Sequence, residues 1–211
     1  MKKSWMMAVF FLVGMGGLTL LINSGDTSDS QTPPTLDTGY VFPAPKPLPP
    51  FKLTDQLGQT FDNQRLMGKW SLIFLGYTSC PDICPTTMSK LAAAYPELNQ
   101  ENSLQVIFLS VDPARDTPTR LAQYAAFFHP DFLAVTGEHS ELYSLTRSLG
   151  MVYTMVGDGP DYQVDHSASI VVISPKGERY AVFKPKNDGQ SIPQIRNQAL
   201  ISDMRLIRHQ Y

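Results

Sequence analysis

Two nearly uninterrupted apolar runs, Leu72-Ile73-Phe74-Leu75 and Val106-Ile107-Phe108-Leu109-Ser110-Val111, restrict the fold more than any other feature of the chain. A strand with one wet face alternates apolar and polar residues. These two do not alternate, so each reads as a strand buried on both faces, the situation of a parallel sheet covered by helices on either side. Between them Met88, Leu91, Ala92, Tyr95 and Leu98 recur at helical spacing and give a helix one apolar face. Pro85 suits a first helical position, which puts the start of this helix just after Cys84.

The rest of the domain falls into place around that β-α-β unit. Phe51 to Phe61 alternates about Gly58 as a short hairpin. Asp116-Thr117-Pro118 opens a helix that runs through Leu121, Tyr124, Ala125 and Phe128, with Asp116 read as its N-cap. Phe132 to Val135 reads as a strand and Glu141 to Leu149 as a short helix. Ser169 to Ser174 and Tyr180 to Phe183 are β-type runs joined by the turn Pro175-Lys176-Gly177, an antiparallel hairpin, and a last helix occupies about Ile192 to Arg208. This is the order of an α/β thioredoxin-like fold with an N-terminal β-hairpin extension and an inserted strand–helix pair. No internal repeat is visible. With 211 residues there is room for one such domain and some extra segments, and not for two domains. A net charge of −2 with no long basic run removes nucleic acid from the expected partners.

The N-terminal part has a different character. Lys2 and Lys3 precede an uncharged stretch, Ser4 to Gly25, apolar almost throughout from Trp5 to Ile22; as a helix it would rise about 33 Å, the thickness of a bilayer core. A cleaved signal peptide should have a shorter apolar region and a small-x-small site, which Leu20-Leu21-Ile22-Asn23-Ser24-Gly25 lacks. Residues 1–25 are therefore expected to be a retained transmembrane helix, a membrane anchor with its N-terminus in the cytoplasm and the domain outside, in a bacterium the periplasm. No cysteine lies near the end of the run to take a lipid. Residues 26–50, rich in Ser, Thr, Asp and Pro, are expected to be a stiff linker, and residues 51–211 the domain.

The chain has two cysteines, in Cys80-Pro81-Asp82-Ile83-Cys84-Pro85, between the first buried strand and the helix that follows. A structural disulfide is the plain alternative, yet a bridge closing so small a loop removes little unfolded-state entropy. At a helix N-terminus the dipole and free N–H groups favour thiolate, the form that attacks disulfides and binds metals. Redox exchange and metal binding both remain open on these residues. Structural zinc wants four protein ligands, whereas two soft thiolates and one imidazole suit copper(I). Of the four histidines, His209 reads as a surface residue of the last turn, His129 as a cap at a helix end and His139 as part of a polar turn. His166, in Val164-Asp165-His166-Ser167, runs into the strand that follows, beside the helix N-terminus in a thioredoxin-type layout.

The motifs Gly76-Tyr77-Thr78-Ser79-Cys80-Pro81-Asp82-Ile83-Cys84-Pro85, Ser110-Val111-Asp112-Pro113-Ala114-Arg115-Asp116-Thr117-Pro118 and Asp161-Tyr162-Gln163-Val164-Asp165-His166-Ser167 closely resemble the Sco/SenC family, over about residues 48 to 190. The resemblance implies a thioredoxin-like protein anchored by one span, which binds a copper ion through Cys80, Cys84 and His166. It further implies a role in building the dinuclear copper A centre of cytochrome c oxidase, by delivering copper to the receiving subunit or by reducing that subunit's cysteines. Further partners in that reading are another periplasmic cuproprotein, other copper chaperones or thiol reductants. A metallochaperone is the leading expectation. A thiol-disulfide oxidoreductase using Cys80 and Cys84 as its redox pair, or a copper or redox sensor, are the alternatives. A peroxidase would need an arginine and a threonine around its cysteine, and no such arrangement is evident. Asp112 and Asp165 are expected either to orient a metal ligand or to form turns. Met151 and Met155 are expected to be core filler.

Overall fold

The computed structural model describes residues 33–187, 189 and 193–211. The chain enters its sheet earlier than its composition suggests. Gly39–Pro47, inside the expected linker, forms strand β1 and pairs antiparallel with the strand Glu178–Phe183. Leu36, Val41 and Leu48 are buried with it. Pro43, Pro45 and Pro47 are tolerated because β1 is an edge strand whose register with its partner is irregular between Val41 and Lys46. The linker is thus shorter than expected among the described residues. The expected anchor at 1–25 lies outside them, and no described helix is long and apolar enough to cross a membrane.

The expected hairpin follows as β2 (Lys52–Asp55) and β3 (Thr60–Asp62). Next come β4 (Trp70–Gly76), α1 (Ile83–Leu98), β5 (Leu104–Ser110), α2 (Pro118–Phe128), β6 (Leu133–Thr136) and α3 (His139–Leu149). A second small hairpin, β7 (Tyr153–Val156) and β8 (Gln163–His166), precedes β9 (Ile170–Ile173), β10 (Glu178–Phe183) and α4 (Asn197–Gln210). Eight strands form one sheet in the order β1-β10-β9-β4-β5-β6-β2-β3, in which β4, β5 and β6 are parallel. β7 and β8 form a two-stranded sheet of their own. Sequence reading treats the segment before His166 as loop, because four-residue strands with exposed side chains carry little apolar signal.

The central strands are apolar on both sides because both sides are covered. Leu72, Phe74, Val106 and Phe108 pack with residues of α1, α2 and α4, among them Met88, Leu91, Leu121 and Met204. Their neighbours Ile73, Leu75, Ile107 and Leu109 pack on the other face with Leu142, Leu145 and Leu149 of α3 and with Val164 of β8. β4 and β5 run in parallel to Gly76 and Ser110, so the loops that leave their C-terminal ends emerge side by side.

A buried carboxylate ties the early strand to the last helix. Asp203 of α4 accepts hydrogen bonds from the backbone N–H groups of Asp37 and Thr38 at 2.9 and 2.7 Å, and from Thr38 Oγ1 at 2.5 Å. Removing the acceptor strands those donors in a dry environment, at a cost of roughly 1–3 kcal/mol for a buried unsatisfied group. Asp203→Ala is expected to lower stability by about 2–4 kcal/mol in urea unfolding. A loss under about 0.5 kcal/mol would mean that the segment before β1 is not held by this contact.

Candidate metal centre

β4 delivers the chain to a loop, residues 77–82, and α1 begins at Ile83. The helix starts two residues earlier than expected, so Cys84 lies in its first turn. Pro85 is accommodated there because the N–H groups of a first turn have no intrahelical acceptor. Cys84 is fully buried, and Cys80, whose N–H donates to the Tyr77 carbonyl at 3.2 Å, is partly exposed. Glycine is required at position 76 because a Cβ there would come within 2.7 Å of both Cys84 Sγ and the Phe108 ring. The end of β4 is cut back to make room for a sulfur.

His166 arrives from the other side, at the end of β8. Its Nε2 lies 3.3 Å from Cys84 Sγ. Its Nδ1 is 3.2 Å from the Ser167 carbonyl, so the ring is held between that oxygen on one side and the Cys84 sulfur on the other. Phe74 and Tyr77 meet the imidazole edge-on, each with ring centroids 6.1 Å away, and fix its tilt. The ligand atoms of Cys80, Cys84 and His166 all lie within 4.8 Å of one another. Trigonal ligands around an ion with metal–sulfur and metal–nitrogen distances near 2.3 and 2.0 Å sit about 4 Å apart, so the three donors fit one soft ion with small movements.

The two sulfurs have opposite acidities. The Cys84 thiol donates to the Cys80 sulfur, and this contact above all holds Cys80 down to about 4, against the effect of burial; His166 and the N–H groups of Asp82 and Cys84 add to it. Cys84 is pushed up, first by burial and then by its hydrogen bond to Cys80 and the negative charge there. At neutral pH the pair holds one thiolate, on the sulfur nearer solvent, and one thiol.

Two buried aspartates hold the surrounding segments. Asp116 is not the cap of α2; Thr117 is, with its side chain accepting from Arg120 N–H. Asp116 instead turns inward, where its carboxylate accepts from Thr78 N–H at 2.9 Å, Thr78 Oγ1 at 2.5 Å and Ser110 Oγ at 2.5 Å. Asp112 touches none of the three candidate ligands. It accepts from Arg115 Nε at 2.5 Å and from the Tyr162 hydroxyl. Asp165 is exposed, its neighbours in β8 pointing to the opposite face. Sequence reasoning missed Tyr77, Arg115 and Tyr162; the only clue was their presence inside the three motifs.

The other candidates lie elsewhere. His129 caps the C-terminus of α2 as expected, its backbone N–H donating to the Ala125 carbonyl at 3.1 Å, while its ring accepts from Asp131 N–H at 3.2 Å and packs on Tyr95 and Phe132. His139 is the first residue of α3, its Nδ1 3.1 Å from the Tyr153 hydroxyl. His209 is exposed in the last turn of α4. Met151 is buried in the core as expected, whereas Met155 is not core filler: it is exposed on β7.

A family model described as SCO1/SenC matches residues 43–200. A SCO2-like protein of Rickettsia prowazekii is 40% identical over 133 residues, covering 61% of this chain and 64% of that protein, so the chain spans a little under two thirds of that relative's length. Among solved structures, Arabidopsis thaliana ScoI with copper bound is 34% identical, with a TM-score of 0.67 over 77% of this chain and 98% of that one. Yeast Sco1 with copper bound is 30% identical, with a TM-score of 0.68 over 79% and 91%.

In the reduced, metal-free protein, alkylation of Cys80 by iodoacetamide is expected to hold its plateau down to about pH 5 and to halve near pH 4, since thiolate is the reacting form. Cys84→Ala removes the principal donor and should move the midpoint up toward the ordinary thiol range. A wild-type midpoint near 8.5 would show that the thiol–thiolate hydrogen bond does not form.

Proposed function

The chain belongs to the SCO1/SenC family, and on that premise we propose that it is a copper metallochaperone that holds one ion between Cys80, Cys84 and His166. The observation that carries this reading is the convergence of two sulfurs and one imidazole, from segments far apart in sequence, on a single point. Two sulfurs and an imidazole nitrogen select copper over the hard cations, and three ligands leave a position through which a fourth can enter. The copper-bound relatives from Arabidopsis and yeast support the choice of metal.

The asymmetry of the site gives an order of events for transfer. Cys80 is the ligand nearer solvent, so a thiolate of the receiving protein meets the copper on that side, and Cys80 is the first donor exchanged. Cys84 and His166, packed against Phe74 and Tyr77, retain the ion until the partner's second ligand arrives. The receiver in this reading is the cytochrome c oxidase subunit that carries the copper A centre. The domain works on the periplasmic face of the bacterial inner membrane, tethered by the apolar run behind Lys2 and Lys3.

One observation favours a second reading, reduction of the receiver's cysteines. The low-lying Cys80 thiolate beside a Cys84 thiol is the arrangement of a disulfide reductant. Cys80 would attack one sulfur of the receiver's disulfide and expel the other as thiolate. Cys84, losing its proton, would then attack Cys80, releasing the second thiolate and leaving a Cys80–Cys84 disulfide in this chain.

The purified, reduced full chain is expected to bind one copper, the copper(II) form showing intense sulfur-to-copper charge transfer. His166→Ala should weaken binding on the order of 100-fold while leaving the Cys80–Cys84 disulfide able to form. Unchanged affinity in that variant hands the site to the reductant reading. A deletion strain should lose oxidase activity under copper limitation and regain part of it when copper is added. Full oxidase assembly without the protein would count against the chaperone role.

A further inference from the structure

The cysteines and His166 are carried by different sheets. Cys80 and Cys84 follow β4 of the main sheet, whereas His166 ends β8 of a two-stranded sheet that shares no ladder with it. The hydrogen bonds at the root of this hairpin, Ser167 N–H to the Val152 carbonyl at 3.0 Å and Val152 N–H to Ser167 Oγ at 3.0 Å, join the hairpin to itself and fix nothing relative to the cysteines. Its tip contains Gly157 and Gly159, both at positive φ, a conformation with little local preference of its own. Val164 in the core and the rings of Phe74 and Tyr77 hold the base of this hairpin, and a further contact registers its tip against the cysteine loop.

We propose that the turn Ser110–Asp116 is that registering element, and that Arg115 is a positioning residue which sets the geometry of the copper site through His166. The proposal rests on the copper reading above. The turn is closed by the N–H groups of Arg115 and Asp116, which donate to the Asp112 carbonyl at 3.2 and 2.9 Å. From one side Asp116 grips Thr78 and so the loop that bears Cys80. From the other, Arg115 Nη1 donates to the carbonyls of Pro160 at 3.3 Å and Tyr162 at 2.9 Å, at the tip of the histidine hairpin. The guanidinium also stacks on the Tyr162 ring, 3.7 Å from its centroid, while the Tyr162 hydroxyl donates back to Asp112. Tyr77, from the cysteine loop, donates to Gln163 Oε1 at 2.7 Å and lies under the same guanidinium at 5.6 Å. One seven-residue turn therefore holds both halves of the site, with a separate aspartate for each.

A planar fork that bonds two carbonyls and stacks on a ring has no equivalent in lysine, so Arg115→Lys tests the clasp while keeping the charge. Copper(I) affinity is measured on the full chain by chelator competition, for wild type, Arg115→Lys, Tyr162→Phe, His166→Ala and the Arg115→Lys/His166→Ala double variant. Arg115→Lys is expected to weaken copper binding about 10- to 100-fold and to move the copper(II) charge-transfer band toward that of His166→Ala, with Tyr162→Phe following in part. If Arg115 acts through His166, the double variant binds copper no more weakly than His166→Ala alone. Equal losses in both backgrounds, or no loss at all, overturn the proposal. Should the wild type fail to hold copper, the copper reading falls separately, and the His166 ring resonances of the metal-free protein decide the positioning role. They are expected to shift in Arg115→Lys, and unchanged resonances would refute it.

Discussion

The site depends on two carboxylates that are fully buried, Asp112 and Asp116. An ionised carboxylate taken out of water costs several kcal/mol unless donors replace its hydration. Each aspartate finds its donors in a segment that carries part of the metal centre: Thr78 in the cysteine loop for Asp116, Tyr162 beside the histidine strand for Asp112. Displacing either segment would take donors from a buried carboxylate, leaving Asp112 with Arg115 and Asp116 with Ser110. The two loops are held by a penalty for leaving, which is steeper than the modest net gain of an ordinary hydrogen bond. That is how short connections with little core of their own keep three ligand atoms within a few ångströms.

Why those loops meet follows from the sheet. Parallel strands β4 and β5 end in register at Gly76 and Ser110, so the cysteine loop and the Ser110–Asp116 turn leave the sheet as neighbours. Antiparallel β9 pairs with β4 on the other side, and His166 lies just ahead of it in the chain. The crevice at the C-terminal ends of parallel strands is where α/β sheets place their ligands. Burial at the helix entrance then differentiates two chemically identical thiols, leaving the outer one charged and the inner one neutral.

Much of this was legible in the residues. The apolar runs named the central strands, helical periodicity named α1 and α2, and the cysteine spacing placed reactive sulfurs at a helix start. What escaped has common physical causes. β1 is proline-rich and exposed on one side, and only its pairing with β10 makes it a strand; composition alone describes a linker. β7 and β8 are short and half-exposed, so their alternation is drowned by polar residues. Asp116 stands directly before Thr-Pro at a helix start and has the look of a cap, but Thr117 takes that position and frees the carboxylate to face inward. Local sequence records which residues suit a helix end; it does not record which long-range donor competes for the same carboxylate.

The distinction between a dithiol reductant and a copper carrier also comes down to geometry rather than residue type. A helix-start thiol pair needs only a lowered pKa to exchange disulfides. The imidazole brought up on the hairpin helps to lower the Cys80 thiol, and it also completes a set of three metal-binding atoms that disulfide exchange does not require. His166 points Nε2 at Cys84, with its other nitrogen against the Ser167 carbonyl, which is the orientation a metal ligand requires. Holding it there occupies Phe74, Tyr77, Arg115, Tyr162 and a buried aspartate. A fold that invests so much packing in the direction of one imidazole nitrogen brings a third donor to two sulfurs, the set that suits a copper ion.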